Sequence, residues 1–522
     1  MRRYIEKDRI ILLMALVVIL LLTGCAVGPK YARPTVETPL AYKETPQAAA
    51  RESESWRASQ PKDATNRGQW WKVFNDPQLD ELEGKASSSN QEIVAAANNF
   101  LAARALVREA RAQYFPTLTT NPTITNERPS PAQFGGLQAG SAMGVPLTVK
   151  SYTNYTLPFD ASWEPDFWGR IRNGVRSSIY AAQASAADLE NGRLSEQAEL
   201  AADYYELRGQ DSLKEVLDST VSAYQEAFNL TATQYKAGLG NDEAVAQAEA
   251  QLKAAQAQDT NLAILRAQYE HAIAVLVGEP ASTFSLPAKS QLTIPPSIPA
   301  GVPSELLERR PDIAAAERSV AQANAQIGVA KSAYFPVILL SATGGFGNSS
   351  AANWFIWPSR FWSVGPSLAE AIFDAGLRRA TMAQFRASYD VTLAYYRQTV
   401  LTAFQQVEDN LASLRILSQD IEQQDAAVKA AARSLQEAKV RYKAGLDPYL
   451  NVISAQTILL NDQQTAVTFR MQQMVASVQL IKALGGGWHI AQLPSPNQMK
   501  TKEGDSPGQA DNRPQEGGSV GY

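Results

Sequence analysis

Residues 170–237 and 377–444 contain no proline and are dominated by Ala, Leu, Gln, Glu and Arg, all good helix formers. At about 1.5 Å per residue, each stretch makes a helix on the order of 100 Å long. A helix of that length outgrows any globular domain and implies lateral assembly in the manner of a coiled coil. Each stretch ends in the same five residues, Tyr235-Lys236-Ala237-Gly238-Leu239 and Tyr442-Lys443-Ala444-Gly445-Leu446, 207 positions apart. Two further landmarks recur in the same order. Phe167-Trp168-Gly169-Arg170 matches Asp374-Ala375-Gly376-Leu377 at the glycine, and Tyr114-Phe115-Pro116 returns as Tyr334-Phe335-Pro336, 220 positions later. The chain is therefore a duplication.

Both copies share one plan. An Ala-rich helix (91–113; 311–333) precedes the Tyr-Phe-Pro landmark. The apolar period then changes from 3.6 to 2. Tyr155, Leu157, Phe159, Ala161 and Trp163 alternate with polar or small residues. Ile338, Leu340 and Ala342 alternate with Leu339, Ser341 and Thr343, and later Trp362, Val364, Pro366 and Leu368 with Ser363, Gly365 and Ser367. Each segment holds two such runs around a Gly/Pro/Ser/Asn-rich tip, 126–150 and 344–360, and reads as a hairpin over about 114–169 and 334–376. Runs of about 10 residues suit tilted transmembrane strands. Aromatic residues crowd both ends, Trp354, Phe355, Trp357, Phe361 and Trp362 at one, Tyr334, Phe335, Trp163, Phe167 and Trp168 at the other. An antiparallel sheet in a soluble domain would show the same alternation, but not the aromatic girdles. Behind each hairpin the long helix turns, at about 238–241 and 445–448, into a returning helix (241–277; 448–484). Four strands cannot close a barrel, whose smallest form has about eight, and open edges in lipid leave backbone groups unpaired. Several chains must share one barrel, and three give twelve strands.

The N-terminus is an address. Residues 1–9 carry a net +2, and Ile10–Leu22 is an almost unbroken apolar run, about 20 Å as a helix and short of a bilayer core of roughly 30 Å. This is an export signal, not a span. It ends Leu22-Thr23-Gly24-Cys25, like a bacterial lipobox, and Cys25 is the only cysteine. The expected product starts at Cys25 with a diacylglycerol on sulfur and an acyl chain on the new N-terminus, enough for stable membrane attachment. Ala26 is not the Asp that favours inner-membrane retention.

Composition removes other classes. Lys+Arg 48 against Asp+Glu 52 lacks the basic excess of a nucleic-acid binder. One cysteine and two histidines, His271 and His489, leave little for a metal site or a His-based catalyst. Gly504-Asp505-Ser506-Pro507-Gly508 fits a nucleophile-elbow string, but no strand precedes it and no helix follows. The polar tail 494–522 reads as disordered.

Four motifs carry a family resemblance: Cys25-Ala26-Val27-Gly28-Pro29-Lys30-Tyr31, Trp70-Trp71-Lys72-Val73-Phe74-Asn75-Asp76-Pro77-Gln78-Leu79, Leu306-Leu307-Glu308-Arg309-Arg310-Pro311-Asp312 and Lys482-Ala483-Leu484-Gly485-Gly486-Gly487-Trp488. The chain resembles outer-membrane factors of the TolC-like class, in the NodT-like lipoprotein branch serving resistance-nodulation-division efflux pumps. The resemblance implies a mainly α protein with membrane β structure: a homotrimer with a 12-stranded outer-membrane β-barrel, four strands per chain, and a long periplasmic α-helical barrel. A mixed equatorial belt would include 50–90, 279–303 and the region after 485.

The implied division is a signal peptide 1–24, an acylated and equatorial segment 25–90, a first repeat 91–278, a linker 279–303, a second repeat 304–485 and a C-terminal part 486–522. The implied function is the exit duct of a tripartite system exporting drugs or other small toxic compounds. Its partners are a periplasmic adaptor (membrane fusion protein), an inner-membrane transporter and outer-membrane lipid, with no nucleic acid, no enzyme activity and no cofactor beyond the covalent lipid. Type I protein secretion and a structural coiled-coil lipoprotein are the alternatives. In this family the periplasmic end is closed where the helix turns converge, and the second-copy turn supplies the inward-facing rings. Leu450 matches an apolar ring there, and Ser454 stands where relatives carry an acidic residue. Asn451 lies three residues earlier on the same face, and Asp447 lies in the turn itself. These four residues are the expected channel gate.

Overall fold

Each repeat contains a helix of 22 residues, one of 67 and one of 35. The computed structural model describes residues 27–44, 68–128, 130, 150–290, 292–299 and 301–500. The export signal, Cys25, most of the first hairpin tip, the Gly504–Gly508 string and the rest of the tail beyond 500 lie outside these. After a 3-10 turn at Trp70–Phe74 come α1 (Pro77–Ser89), α2 (Gln91–Ala112), α3 (Arg170–Lys236) and α4 (Asp242–Leu276). The second repeat supplies α5 (Leu306–Arg309), α6 (Pro311–Ser332), α7 (Leu377–Lys443) and α8 (Tyr449–Ala483). Local chemistry sets the boundaries. Asp76 caps α1 by accepting from the N–H groups of Gln78 (3.0 Å) and Leu79 (3.4 Å), with Pro77 in the first turn. Asn90 caps α2 through the N–H of Ile93 (3.0 Å). Both are side-chain oxygens satisfying donors that the helix leaves orphaned.

The two short helices of a repeat lie along its long one. Their lengths, about 33 and 52 Å, nearly match the roughly 100 Å of the long helix. Helix α3 packs against α2 and α4 and also against α6 and α8, whereas α7 packs against α6 and α8. Consequently α3 buries 24 of its residues and α7 five. Helix α7 leaves Leu377, Val391, Tyr395 and Leu401 exposed, and α2 leaves Val94, Leu101 and Leu106. Among the described residues no helix is long and apolar enough to cross a membrane.

The strands are β1 (Thr117–Thr120), β2 (Thr123–Glu127), β3 (Tyr152–Trp163), β4 (Val337–Asn348) and β5 (Arg360–Ala369). They form one antiparallel sheet in which β1 and β2 both pair with β3, β3 pairs with β4, and β4 with β5. Strands β1 and β2 are one strand interrupted at Asn121-Pro122, where proline has no N–H for the ladder. Among the described residues the sheet therefore has four strand positions with both edges open. The second tip is shorter than 344–360. Gly344 and Gly345 stay in the ladder opposite Trp362 and Phe361, and the tip proper is 349–359. The sequence alone reads this pair as turn residues. The structure uses Gly345 for close approach instead, since a Cβ there would lie 2.0 Å from the carbonyl oxygen of Leu157.

A core at mid-height joins the belt to the helices. Trp70, Trp71, Phe74, Leu79 and Leu82 pack on Ala198, Ala201, Tyr204 and Tyr205 of α3, with Ile273 of α4 and Met474 of α8. The expectation of disorder from 494 fails over its first residues. Met499 is buried against Val107 and Ile171. Arg111 donates to the carbonyl of Lys500 (2.8 Å), and Gln183 to that of Pro494 (2.8 Å). One buried methionine and two carbonyl bonds anchor a segment that composition marks as polar.

Candidate functional site

The expected gate lies where α7 turns into α8, beside the α3–α4 turn. Both turns close in the same way. Gly238 and Gly445 adopt φ +71. The N–H of Leu239 reaches the carbonyl of Gln234 (2.8 Å), and that of Leu446 the carbonyl of Arg441 (3.0 Å), which satisfies carbonyls left over at a helix end. The turns then diverge. In the first, Asn241 caps α4 by accepting from the N–H of Ala244 (3.1 Å). In the second, Pro448 leads into α8 with no side-chain cap, and Asp447 points back to Arg441. The guanidinium donates through Nε at 2.6 Å and through Nη2 at 3.3 Å. The Arg441 bond, with a further one from Asn451, holds the Asp447 carboxyl below the usual carboxylate range.

Helix α8 divides its first turns between two faces. Tyr449 and Val452 are buried with Ala248 of α4 in one cluster, flanked by Phe228 and Leu435. Leu450, 54 % exposed, points the other way with Asn451 and Ser454. The Ser454 hydroxyl donates to the Leu450 carbonyl (2.9 Å), so it is spent locally while its side of the helix stays open. Three of the four expected gate residues thus share one exposed face. Asp447 stands apart as a turn residue paired to Arg441, linked to the others through Asn451.

Sequence reading missed the residues that hold the turns together. The Tyr442 hydroxyl donates to Gln234 at the end of α3 (2.7 Å), and its ring lies 5.2 Å from that of Tyr449. The repeated Tyr-Lys-Ala-Gly-Leu string offers no warning, because its first-copy tyrosine, Tyr235, is exposed. Arg441 carried the one available signal, a basic residue six positions before an acid across a glycine turn.

The lipobox neighbourhood is partly visible. The Val27 N–H donates to the carbonyl of Trp168 (3.0 Å), and Asn173 donates to the carbonyl of Val27 (3.1 Å). Trp168 stacks on Phe335 at 4.7 Å, at the base of the sheet. From there residues 27–44 run down the helices. The Tyr31 hydroxyl donates to Glu317, and Glu44 pairs with Arg415 of α7 (2.6 Å).

Three of the four sequence motifs converge at mid-height around a cavity of about 410 Å³ whose lining includes Trp70, Val73, Glu308, Arg309, Leu484 and Trp488. His489 beside them accepts from the N–H of Ala491 through Nδ1 (3.1 Å) and faces Glu308 at 3.5 Å. Among the described residues no group of three or more His, Cys, Asp or Glu is placed to hold a metal.

Known proteins resemble this chain over most of its length. The sequence profile described as "Outer membrane efflux protein" matches residues 82–279 and 302–486. The toluene efflux pump outer membrane protein TtgC of Pseudomonas putida is 30 % identical over 495 residues, 94 % of this chain and 98 % of that protein. The pyoverdine export outer membrane protein OpmQ of Pseudomonas aeruginosa is 32 % identical over 439 residues, 83 % of this chain and 90 % of its own length. Among solved structures, the outer-membrane channel OprN superposes with a TM-score of 0.76 at 30 % identity, covering 89 % of this chain and 100 % of its own.

Proposed function

The chain belongs to the outer membrane efflux protein family, and from that premise we propose that three copies assemble into the exit duct of a tripartite efflux system, gated at the α7–α8 turn. It is an outer-membrane efflux channel component extending into the periplasm, not an enzyme. The observation that carries the trimer is the sheet. Four strand positions with two open edges cannot persist in lipid, and three such sheets joined edge to edge give a closed twelve-stranded barrel. The bare apolar residues of α2 and α7 flank those edges and supply the matching helical contacts between copies. A periplasmic adaptor and an inner-membrane transporter of the resistance-nodulation-division type complete the machine. Small-molecule export is favoured over protein secretion by the relatives, whose names specify toluene and pyoverdine.

Leu450, Asn451 and Ser454 form the constriction, three copies of each facing the axis, with Asp447 fixing the turn that presents them. A neutral ring at 451 and 454 binds cations weakly. Cys25 carries the diacylglycerol and N-acyl chain. Only Ala26 separates it from Val27, a reach of at most about 7 Å, and Val27 is bonded at the aromatic base of the sheet, where acyl chains meet the inner leaflet.

Single-channel conductance in planar bilayers tests the gate. Leu450→Ala removes an apolar plug and raises conductance. Ser454→Asp sets three carboxylates close together, raises their pKa values by mutual repulsion, and creates a block by divalent cations that the wild type lacks. Unchanged conductance and cation sensitivity in two correctly assembled trimers would place the constriction elsewhere.

A further inference from the structure

Helix α1 docks on α3 through Leu79, Leu82, Glu83 and Ala86, an i, i+3, i+4, i+7 stripe in which one member is a glutamate. Glu83 is 0 % exposed, and among the described residues neither of its carboxyl oxygens has a hydrogen-bond partner. One Asp80 oxygen on the same helix, the Tyr205 hydroxyl and the Trp70 indole N–H are likewise buried and unpartnered. Among the described residues no base compensates the acid. Asp80, one turn back, is the charge that acts on it. From α3 come Tyr204, whose hydroxyl is spent on Asp76 (2.7 Å), and Tyr205. Arg208 of α3 is committed to Asp211, Gln78 and the Pro287 carbonyl, and Glu196 of α3 to Asn90. Lys85 lies outside, paired with Glu81 and Glu279. Of the α4 and α8 contributions to this core, Ile273, Leu276, Met474 and Val478 bring only carbon and sulfur, and Tyr269 of α4, half-buried at its edge, is hydrogen-bonded to Glu206.

We propose that Glu83 is a buried proton-binding site that couples the docking of α1 on α3 to pH, the helix seating while the carboxyl is neutral and releasing when it ionises. A charged carboxylate without partners is not tolerated in such a core, and burial, reinforced by Asp80, pushes the Glu83 carboxyl well above the usual range. The undocked helix titrates near the ordinary glutamate value of 4.5. Between that value and the raised native one, the docked state holds a proton that the undocked state has lost. Docking is then fully favourable at low pH and weakens as pH rises, the opening equilibrium growing by up to tenfold per pH unit. Asn90, at the end of α1, also donates to the carbonyl of Leu276 (3.0 Å), so release of α1 loosens the belt's hold on the end of α4.

Ala86, fully buried on the same face, supplies the probe site. In the full-length channel in detergent, Ala86→Cys is labelled with a thiol reagent from pH 5.5 to 8.5. Each rate is divided by that of an unfolded peptide carrying the same cysteine, which cancels thiol ionisation. The expected ratio rises with pH, by up to tenfold per pH unit until the raised range of the native carboxyl is reached, and becomes flat when Glu83→Gln is added, an isosteric side chain that cannot titrate. Amide hydrogen exchange of residues 79–86, normalised in the same way, reads the same equilibrium without the cysteine. A flat ratio in the Glu83 protein overturns the proposal. So does a slope that survives Glu83→Gln, which would assign the titration to another group such as Asp203 of α3, whose carboxyl burial, with Glu199 and Glu206, pushes up to about 6.

Discussion

Arg208→Ala should release the segment 279–290 from the mid-height belt while leaving the tunnel intact. Arg208 is 1 % exposed. It donates to Asp211 (2.7 Å), to Gln78 (2.7 Å) and to the carbonyl of Pro287 (3.0 Å), and its guanidinium lies 4.9 Å from the centre of the Tyr204 ring. Asp211 would not be left bare. It keeps Arg266 at 2.8 Å and the N–H of Lys289 at 2.9 Å. The groups orphaned are the Gln78 amide oxygen, on a half-buried residue, and the Pro287 carbonyl, on an exposed one, so each belongs at the lower end of the roughly 1–3 kcal/mol of a buried unpaired group. Because the carboxylate retains partners, the total belongs at the lower end of the roughly 3–5 kcal/mol for breaking a buried pair. About 3 kcal/mol corresponds to roughly 150-fold in the local opening equilibrium, at about 1.36 kcal/mol per decade. Limited trypsin cleavage after Lys289 in the native channel reads that equilibrium when reclosing outpaces cleavage. Arg208→Ala should be cut about 100-fold faster, with conductance unchanged. Arg208→Met, which keeps the stem but not the donors, should fall between the two. Cleavage of Arg208→Ala within about threefold of the wild type would mean that the Arg208 bonds do not fasten this segment.

Two glycine substitutions separate conformational strain from collision. Gly485 has φ +93, and a Cβ there would sit 2.1 Å from the carbonyl oxygen of Arg309. Gly485→Ala therefore adds a backbone clash to the roughly 1–2 kcal/mol of a left-handed alanine, and the heat-labile trimer band in mild detergent should be largely lost. Gly238, at φ +71 with nothing within 4 Å, bears only the conformational cost, and Gly238→Ala should assemble normally; equal behaviour of the two variants would refute this reading. Cys25→Ser should yield a chain without acyl mass and with unchanged helical circular dichroism, because the strands supply insertion. A wild-type mature N-terminus found without lipid by mass spectrometry would contradict the anchor.

The duplication, the long helices and their turns were legible in the sequence because they rest on local rules. Absence of proline lets a helix run, Gly238 and Gly445 end it in the left-handed conformation, and the switch in period marks a hairpin. What these rules cannot reach is which neighbour each surface meets. Helices α3 and α7 have equal length and the same texture, yet one lies in the middle of five packed helices and the other leaves most of its surface bare. Gly344-Gly345 reads as a turn by composition and is ladder by close approach to β3. Asp447 reads as one more member of the gate, and a guanidinium from across the turn claims it. Glu83 is a residue that no sequence pattern singles out, and the packing of α1 buries it with no partner among the described residues. Each of these outcomes is set by contacts between residues tens to hundreds of positions apart. A sequence fixes a side chain's chemistry and its place on a helix or strand. Tertiary packing alone decides whether that chemistry is paired, buried or left facing an open edge.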